Sequence, residues 1–449
     1  MSESIEMQCQ HQSFIEDKLP GWLKTAQPGQ RNAYMAALHQ LAAASRGTAQ
    51  TLSRLIAPAD FARPLLIDAL RTEYGLTIDV DAIHLVMIRL QQDWTSSRFI
   101  PRTLSLLEAA LRNFDTREVE GISAERGWVI LPKGAYRLAR QPGSEAETDQ
   151  VYVYEKGQVV PITPRAFMET CRALNLGQRY LTHLEAVLKP WHPDQPRLAP
   201  NQPQAEQFMA LLAATLNTQA LEAYLEGHLS ASALETVRAL CEQSPTQVLW
   251  EGVKVKCQWT EMLYTGLKRG YPLHGAFVIE GPQGRCVAYL PGAPEHPFKE
   301  YASLAGFQAA LRERLRAEDY QHYFQRLILQ RVAPRFFHRL AATLSPRPLG
   351  LGGLGEPKAD PDADLGYKAF GFETKLPMFL YLHFIVKTMD DARVLCVPTE
   401  DRNAQQARDE SAEKLDTALE ILNLAALFVP GLGEVMGGSV PCHWRQTCS

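Results

Sequence analysis

What most constrains the fold of this chain is a change of hydrophobic period along its length. In the first third, apolar residues recur at helical spacing: Tyr34, Leu38, Leu41, Leu52 and Leu55 share one face, and Leu104, Leu107, Leu111 and Phe114 another. Each stripe needs a partner to cover it, so several helices must pack together. From Gly121 to Val160 the pattern changes. Trp128-Val129-Ile130-Leu131 and Val151-Tyr152-Val153-Tyr154, separated by a polar loop with glycine and proline, predict two strands paired with each other. Helix resumes at Thr163, whose hydroxyl can cap free amides while Pro164 takes the first turn, where a missing N–H costs nothing. Its face, Phe167, Cys171 and Leu174, is expected to stop at Leu176-Gly177 before a second set begins with Tyr180, Leu181, Leu184 and Leu188. Between the first two stripes, the branched residues of 79–88 fit a strand or a buried helix equally well.

Further along, 275–280 and 286–290 flank the turn Gly281-Pro282-Gln283-Gly284 and predict a β-hairpin. Tyr289-Leu290-Pro291-Gly292 should end a strand, and 296–301 should lead into a helix carrying Leu304, Phe307 and Leu311. The proline-rich stretch 190–203 and the glycine-, proline- and aspartate-rich stretch 345–375 read as linkers. The expected class is α+β, predominantly helical with small antiparallel hairpins. The expected organisation is 1–190, helical with a β-hairpin; 203–344, helical with a second hairpin; 376–436, a C-terminal helical region; and an atypical tail, 437–449. A chain of 449 residues is long enough for about two to three such units.

A formal net charge of -4 gives no global attraction to nucleic acid or anionic lipid. The polar, acidic N-terminus has neither a basic nor an apolar leader region, so a cleavable secretory signal is not expected. The eight cysteines form no C-x-x-C pair, and Cys171 and Cys396 keep the apolar company of buried thiols.

Several local patterns imitate functional motifs and fail on context. Gly350-Leu351-Gly352-Gly353-Leu354-Gly355 has dinucleotide spacing, but prolines flank it where a strand and a helix are required. Asp360, Asp362 and Asp364 open like a calcium loop, yet Leu365 takes the glycine position and Gly371 that of the closing glutamate. Cys442, His443 and Cys448 could offer zinc three ligands, with Cys9 or His11 as a fourth only if the termini met; a frayed tail explains them better. Between Tyr320 and Leu340, Arg326, Arg331, Arg335 and Arg339 alternate with Tyr320, Tyr323, Phe324, Phe336 and Phe337. That mixture suits single-stranded nucleic acid or a membrane, but the wet back of a core helix, the default for a globular chain, explains the same residues. Hydrolase, zinc-protease and phosphate-loop patterns are absent from the sequence, so no catalytic, cofactor-binding or metal-binding residue is predicted.

Read in order, a series of segments resembles the dermonecrotic toxin N-terminal domain family. The series begins with Leu19-Pro20-Gly21-Trp22-Leu23, Phe61-Ala62-Arg63-Pro64-Leu65-Leu66 and 106–114, and continues through Ile162-Thr163-Pro164 and Leu176-Gly177-Gln178-Arg179-Tyr180. The most distinctive piece is Tyr289-Leu290-Pro291-Gly292 leading to His296-Pro297-Phe298-Lys299-Glu300-Tyr301, and 391–399 and 428–436 close the series. The resemblance implies a non-catalytic N-terminal module of a secreted bacterial toxin that recognises and enters the target cell, while separate C-terminal domains carry the toxic activity. Its implied partners are the target-cell surface or membrane and those missing domains, with no nucleic acid and no cofactor. Secretion would proceed without a cleavable signal, the alternative location being cytoplasmic.

Family members usually continue the last apolar helix, whereas 437–449 abandons its periodicity, which points to truncation or a frame change. Leu424, Leu427, Phe428, Val429, Pro430 and Leu432 are the expected membrane or partner contacts, although the apolar run is shorter than the ~20 residues of a span. Two rival readings remain from the residues: an enzyme whose Cys or Ser, His and acid assemble only in space, and an intracellular scaffold or chaperone-docking protein.

Overall fold

The computed structural model describes residues 20–87, 103–120, 128–140, 150–154, 157, 159–188, 203–264, 270–344 and 365–409. The chain divides into two units: residues 1–53, 190–387 and 430–449 form the first, and 54–189 with 388–429 the second. Helix Leu376–Leu395 contributes residues through Lys387 to the first unit and the remainder to the second.

In the second unit, helices Pro58–Tyr74, Leu106–Arg112, Pro164–Leu174 and Leu176–Leu188 enclose a core in which Leu66, Leu70, Leu107, Leu111, Phe114, Phe167, Tyr180 and Cys396 are buried. The local signals act as predicted at Thr163, whose hydroxyl accepts from the Ala166 amide at 3.2 Å with Pro164 at the helix start. The ambiguous stretch 79–88 contains a strand, Ile83–Met87, at the centre of a three-stranded antiparallel sheet between Thr103–Ser105 and Trp128–Pro132. This corrects the expected pairing of 128–131 with 151–154. Ile130 sits opposite Leu85 and both are fully buried, so the most apolar run pairs with the other run that can be buried. Gln150–Tyr154 pairs instead with Tyr136–Arg140.

A second correction concerns the stop between helices. It falls at Asn175, in the left-handed region at φ 45°, whose amide donates to the Cys171 carbonyl at 3.1 Å. Gly177 lies inside the next helix for a different reason. A Cβ there would stand 2.3 Å from the Pro398 nitrogen and 2.4 Å from the Val397 carbonyl carbon.

In the first unit, helix Pro28–Leu52 packs on helix Pro203–Leu225. The buried face runs through Tyr34, Ala37, Thr48 and Thr51, while the predicted Leu38 and Leu41 are only half-buried. A six-stranded antiparallel sheet runs in the order Phe298–Tyr301, Cys286–Tyr289, Phe277–Glu280, Lys256–Tyr264 and Leu365–Phe372, with Tyr271–Pro272 also pairing Lys256–Tyr264. The predicted hairpin is its centre, with Phe277 opposite Tyr289 and Glu280 opposite Cys286. Residues 298–301, expected only as a lead-in, are themselves a strand. Helix Leu304–Arg314 follows, with Phe307 and Leu311 buried as expected.

The predicted linker 345–375 is corrected at its end, because Leu365–Phe372 pairs along nearly the whole of Lys256–Tyr264 and stacks Phe370 on Trp259 at 4.5 Å. Helices Glu318–Phe324 and Ala333–Leu344 complete this core, burying Tyr320, Tyr323, Phe324 and Phe336. Those aromatic rings are therefore core residues, and the arginines between them lie on the wetter side: Arg331, Arg335 and Arg339 are exposed.

Cys171, Cys257, Cys286 and Cys396 are buried free thiols. Among the described residues no helix is long and apolar enough to cross a membrane. The predicted contacts Leu424, Leu427, Phe428, Val429, Pro430 and Leu432 lie outside the described residues, as do stretches 190–202, 345–364 and 437–449.

Candidate functional site

Two histidine-bearing constellations and one basic groove stand out, all in the first unit. The deepest is the pair His274 and His383. His274 precedes the central hairpin, where Gly275, at φ 79°, turns the chain into the strand and the His274 amide donates to the Leu327 carbonyl at 2.7 Å. His383 comes from helix Leu376–Leu395, with its ring 5.4 Å from that of His274 and 4.1 Å from Phe379. The Gly275 amide donates to His383 Nδ1 at 3.4 Å, a long bond.

His274 is 9% exposed, and neither of its ring nitrogens has a hydrogen-bond partner among the described residues. Burial pushes its pKa down to about 3, helped by the charges of His383, Lys387 and Arg331 and opposed by the backbone at His383. Burial alone lowers His383, to about 4. Lys387 is anchored one turn further on, donating to the Ile328 carbonyl at 2.9 Å. The pair is thus held neutral at ordinary pH, in a place where a proton would be poorly solvated.

The second constellation borders a cleft of about 530 Å³. Gln219, Glu222, Ala223 and Glu226 repeat at helical spacing down one face of Pro203–Leu225 and its end, and supply one wall. Gly227, at φ 83°, terminates that helix, and the His228 amide bonds back to the Ala223 carbonyl at 2.7 Å. The opposite wall is the loop from Gly292 to Pro297, closed by the Leu290 amide on the Pro297 carbonyl at 2.9 Å. The two walls meet through Glu300, whose amide donates to the His228 carbonyl at 2.9 Å and whose carboxylate accepts from the Ser230 amide at 2.8 Å.

This places His296 Nδ1 3.0 Å from Glu226 Oε2 and His228 Nε2 3.9 Å from the same oxygen, with the two imidazole centroids 3.5 Å apart. Burial is the main cause of every shift here: it lowers both histidines and raises Glu226. Glu222, beside Glu226, is raised to about 7. Burial also raises Tyr34, with Glu222 and Glu226 adding to the effect.

The third feature is a groove of about 990 Å³ in which Arg331, Arg335, His338, Arg339 and Lys368 face Glu261 and Tyr271. It is where three of the four arginines flagged in the sequence gather, together with Lys368 from the added strand, while Arg326 lines the other cleft.

Sequence reasoning singled out the segment that carries His296 but gave that histidine no role, and it passed over Glu226, His228, His274 and His383. The only local signal was Glu226-Gly227-His228, two ligand-type residues around a helix-ending glycine. Such a pair becomes notable only when a third group arrives from 68 residues away.

These features belong to a predominantly helical α+β module. The dermonecrotic toxin N-terminal domain family matches residues 52–331, more than half of the chain, and the chain belongs to that family. The match is narrower than the series of resembling segments, yet it includes the distinctive 289–301 segment and both cleft walls. No curated protein matches the chain.

Proposed function

We propose that this module is the non-catalytic target-cell binding and delivery part of a secreted bacterial toxin, and that acidification loosens its first unit during uptake. Family membership supports the toxin context. The observation that supports the delivery step is the His274–His383 pair, in which His274 is buried at the start of the central hairpin with both of its ring nitrogens unpaired among the described residues and His383 stands beside it half-buried.

The sign follows from linkage. Both histidines have folded pKa values far below their ordinary 6.5, so the unfolded chain takes up protons as pH falls through 6.5 while the folded chain resists until about 4 or 3. Stability from this source is therefore full above 6.5 and declines throughout that window. At about pH 5, where histidine-based switches operate, His274 alone accounts for a loss of ~2 kcal/mol. His383, held to about 4, adds a loss of similar size on the same grounds. Glu222 works in the opposite direction, since a carboxyl held up to about 7 is relieved by protonation.

Co-sedimentation of the full chain with anionic liposomes tests the reading, comparing neutral pH with about pH 5 for the intact chain and for His274→Phe. Binding that rises on acidification in the intact chain and rises much less in the variant is expected. Equal binding at both pH values by the intact chain would refute acid-triggered delivery.

A further inference from the structure

We infer that Glu226, His228 and His296 form a binding site for a divalent transition-metal ion of the zinc type, with one coordination position left open to the cleft. One ligand atom from each residue lies within 4.8 Å of the other two. A four-coordinate ion with bonds of about 2.0–2.1 Å requires its ligand atoms to sit roughly 3.3–3.4 Å apart. The separations from Glu226 Oε2, 3.0 Å to His296 and 3.9 Å to His228, bracket that requirement, while the two imidazoles, with centroids 3.5 Å apart, have to swing apart about their side-chain bonds to bring both nitrogens onto one ion.

The donor set also selects the ion. Two imidazoles and one carboxylate suit zinc and its first-row neighbours, whereas calcium takes six to eight oxygens and magnesium an oxygen octahedron. The charges near His296 are mixed, Glu295 being opposed by Lys299 and by Arg314, which pairs with Glu295 at 2.6 Å, so the ligand atoms and not the surrounding field select the ion. The ligands are carried on braced backbone. His228 follows a glycine-terminated helix and is tied to strand Phe298–Tyr301 by the Glu300 amide, and His296 lies in a loop pinned by Leu290 and Pro297 and by the Tyr323 hydroxyl on the Pro291 carbonyl at 3.1 Å. Three protein ligands leave the fourth position to water or an incoming group, and the cleft provides the room. A bound ion would clasp the end of helix Pro203–Leu225 to the 291–297 loop and hold these two parts of the first unit together.

Zinc titration of the full chain by calorimetry, with zinc-edge X-ray absorption on the loaded chain, tests the site. Expected results are a nitrogen and oxygen first shell at about 2.0–2.1 Å and a rise in thermal midpoint on zinc addition. Affinity should fall at least ~10-fold in Glu226→Gln and the rise should vanish in the double variant His228→Ala/His296→Ala. Glu226→Gln preserves side-chain shape, so it and the absorption measurement on the unaltered chain decide the matter if the double variant does not fold. A first shell of sulfur alone at about 2.3 Å would assign the metal to cysteines instead and overturn the proposal. Undiminished affinity in folded Glu226→Gln and in a folded double variant would overturn it equally.

Discussion

Replacing Gly177 by alanine tests the packing of the second unit, because two physical effects of opposite sign compete at one atom. Gly177 is the second residue of helix Leu176–Leu188, where alanine is favoured over glycine by at most the ~1 kcal/mol of a helix interior. The added Cβ, however, would stand 2.3, 2.4 and 2.6 Å from the Pro398 nitrogen, the Val397 carbonyl carbon and the Cys396 carbonyl oxygen, all backbone atoms. Relief requires that stretch of chain to move by about 1 Å, since an ordinary contact needs at least ~3.4 Å. It is held from several sides. The Val397 amide donates to the Leu111 carbonyl at 2.8 Å, Asn113 Nδ2 donates to the Val397 carbonyl at 3.2 Å, and the Thr399 amide donates to Asn175 Oδ1 at 3.0 Å. Overpacking of this kind costs ~1–3 kcal/mol, and each hydrogen bond weakened adds ~0.5–1.5. After the helical gain is subtracted, a net loss of ~2–4 kcal/mol is expected.

Gly47 supplies the control. It is exposed within helix Pro28–Leu52, and a Cβ added there would meet no atom within 4 Å, so the same exchange should stabilise by ~0.5–1 kcal/mol. Hydrogen exchange read on peptides from 164–188 and 392–403 reports the second unit directly. Protection in those peptides that rises in Gly177→Ala, as the propensity effect alone would have it, would refute the close-approach argument.

Phe307, 3% exposed in the first unit's core, should cost ~3–5 kcal/mol on truncation to alanine, and an unchanged thermal midpoint would remove it from the core. Thr163→Ala should cost ~1 kcal/mol through loss of the cap on the Ala166 amide, with Thr163→Ser largely restoring stability; equal losses in both variants would show that the hydroxyl is not the capping group. Because Glu222 and the histidines titrate with opposite signs, total stability against pH does not isolate either. The difference between the intact chain and His274→Phe does, and between about pH 7.5 and about pH 5 it should shift by ~2 kcal/mol in favour of the variant. A constant difference across that range would mean that His274 is already solvated in the folded state.

Local signals carried well wherever the deciding physics was local. Thr163-Pro164 specifies its helix start through groups within one turn, and the hairpin around Gly281-Pro282-Gln283-Gly284 has its partner strands adjacent in sequence. The errors arose where a choice depended on distant chain. Trp128–Pro132 could pair with either of two apolar runs, and burial of Leu85 against Ile130 decides between them. Gly177 looks like punctuation in the sequence, but it is a clearance for Pro398, more than 200 residues later. Leu365–Phe372 mixes glycine and lysine with aromatics and so resembles a loop, until Lys256–Tyr264 offers it a ladder for every residue.

The same separation governs the candidate site. His228 and His296 are 68 positions apart, and His274 and His383 are separated by 109. Only the antiparallel register of Cys286–Tyr289 with Phe298–Tyr301, together with the Glu300 bond to the end of helix Pro203–Leu225, brings the first pair together. Nothing in either local sequence distinguishes such histidines from surface ones, since single histidines are compatible with exposure or burial. What distinguishes them is their surroundings. One pair has a carboxylate within reach and a cleft beside it, and is suited to share a cation. The other has aromatic rings, Lys387 and no partner for the His274 ring nitrogens among the described residues, and is suited to reject one. The two pairs should therefore answer different perturbations, zinc for the first and acid for the second, and a variant in either should leave the response of the other intact.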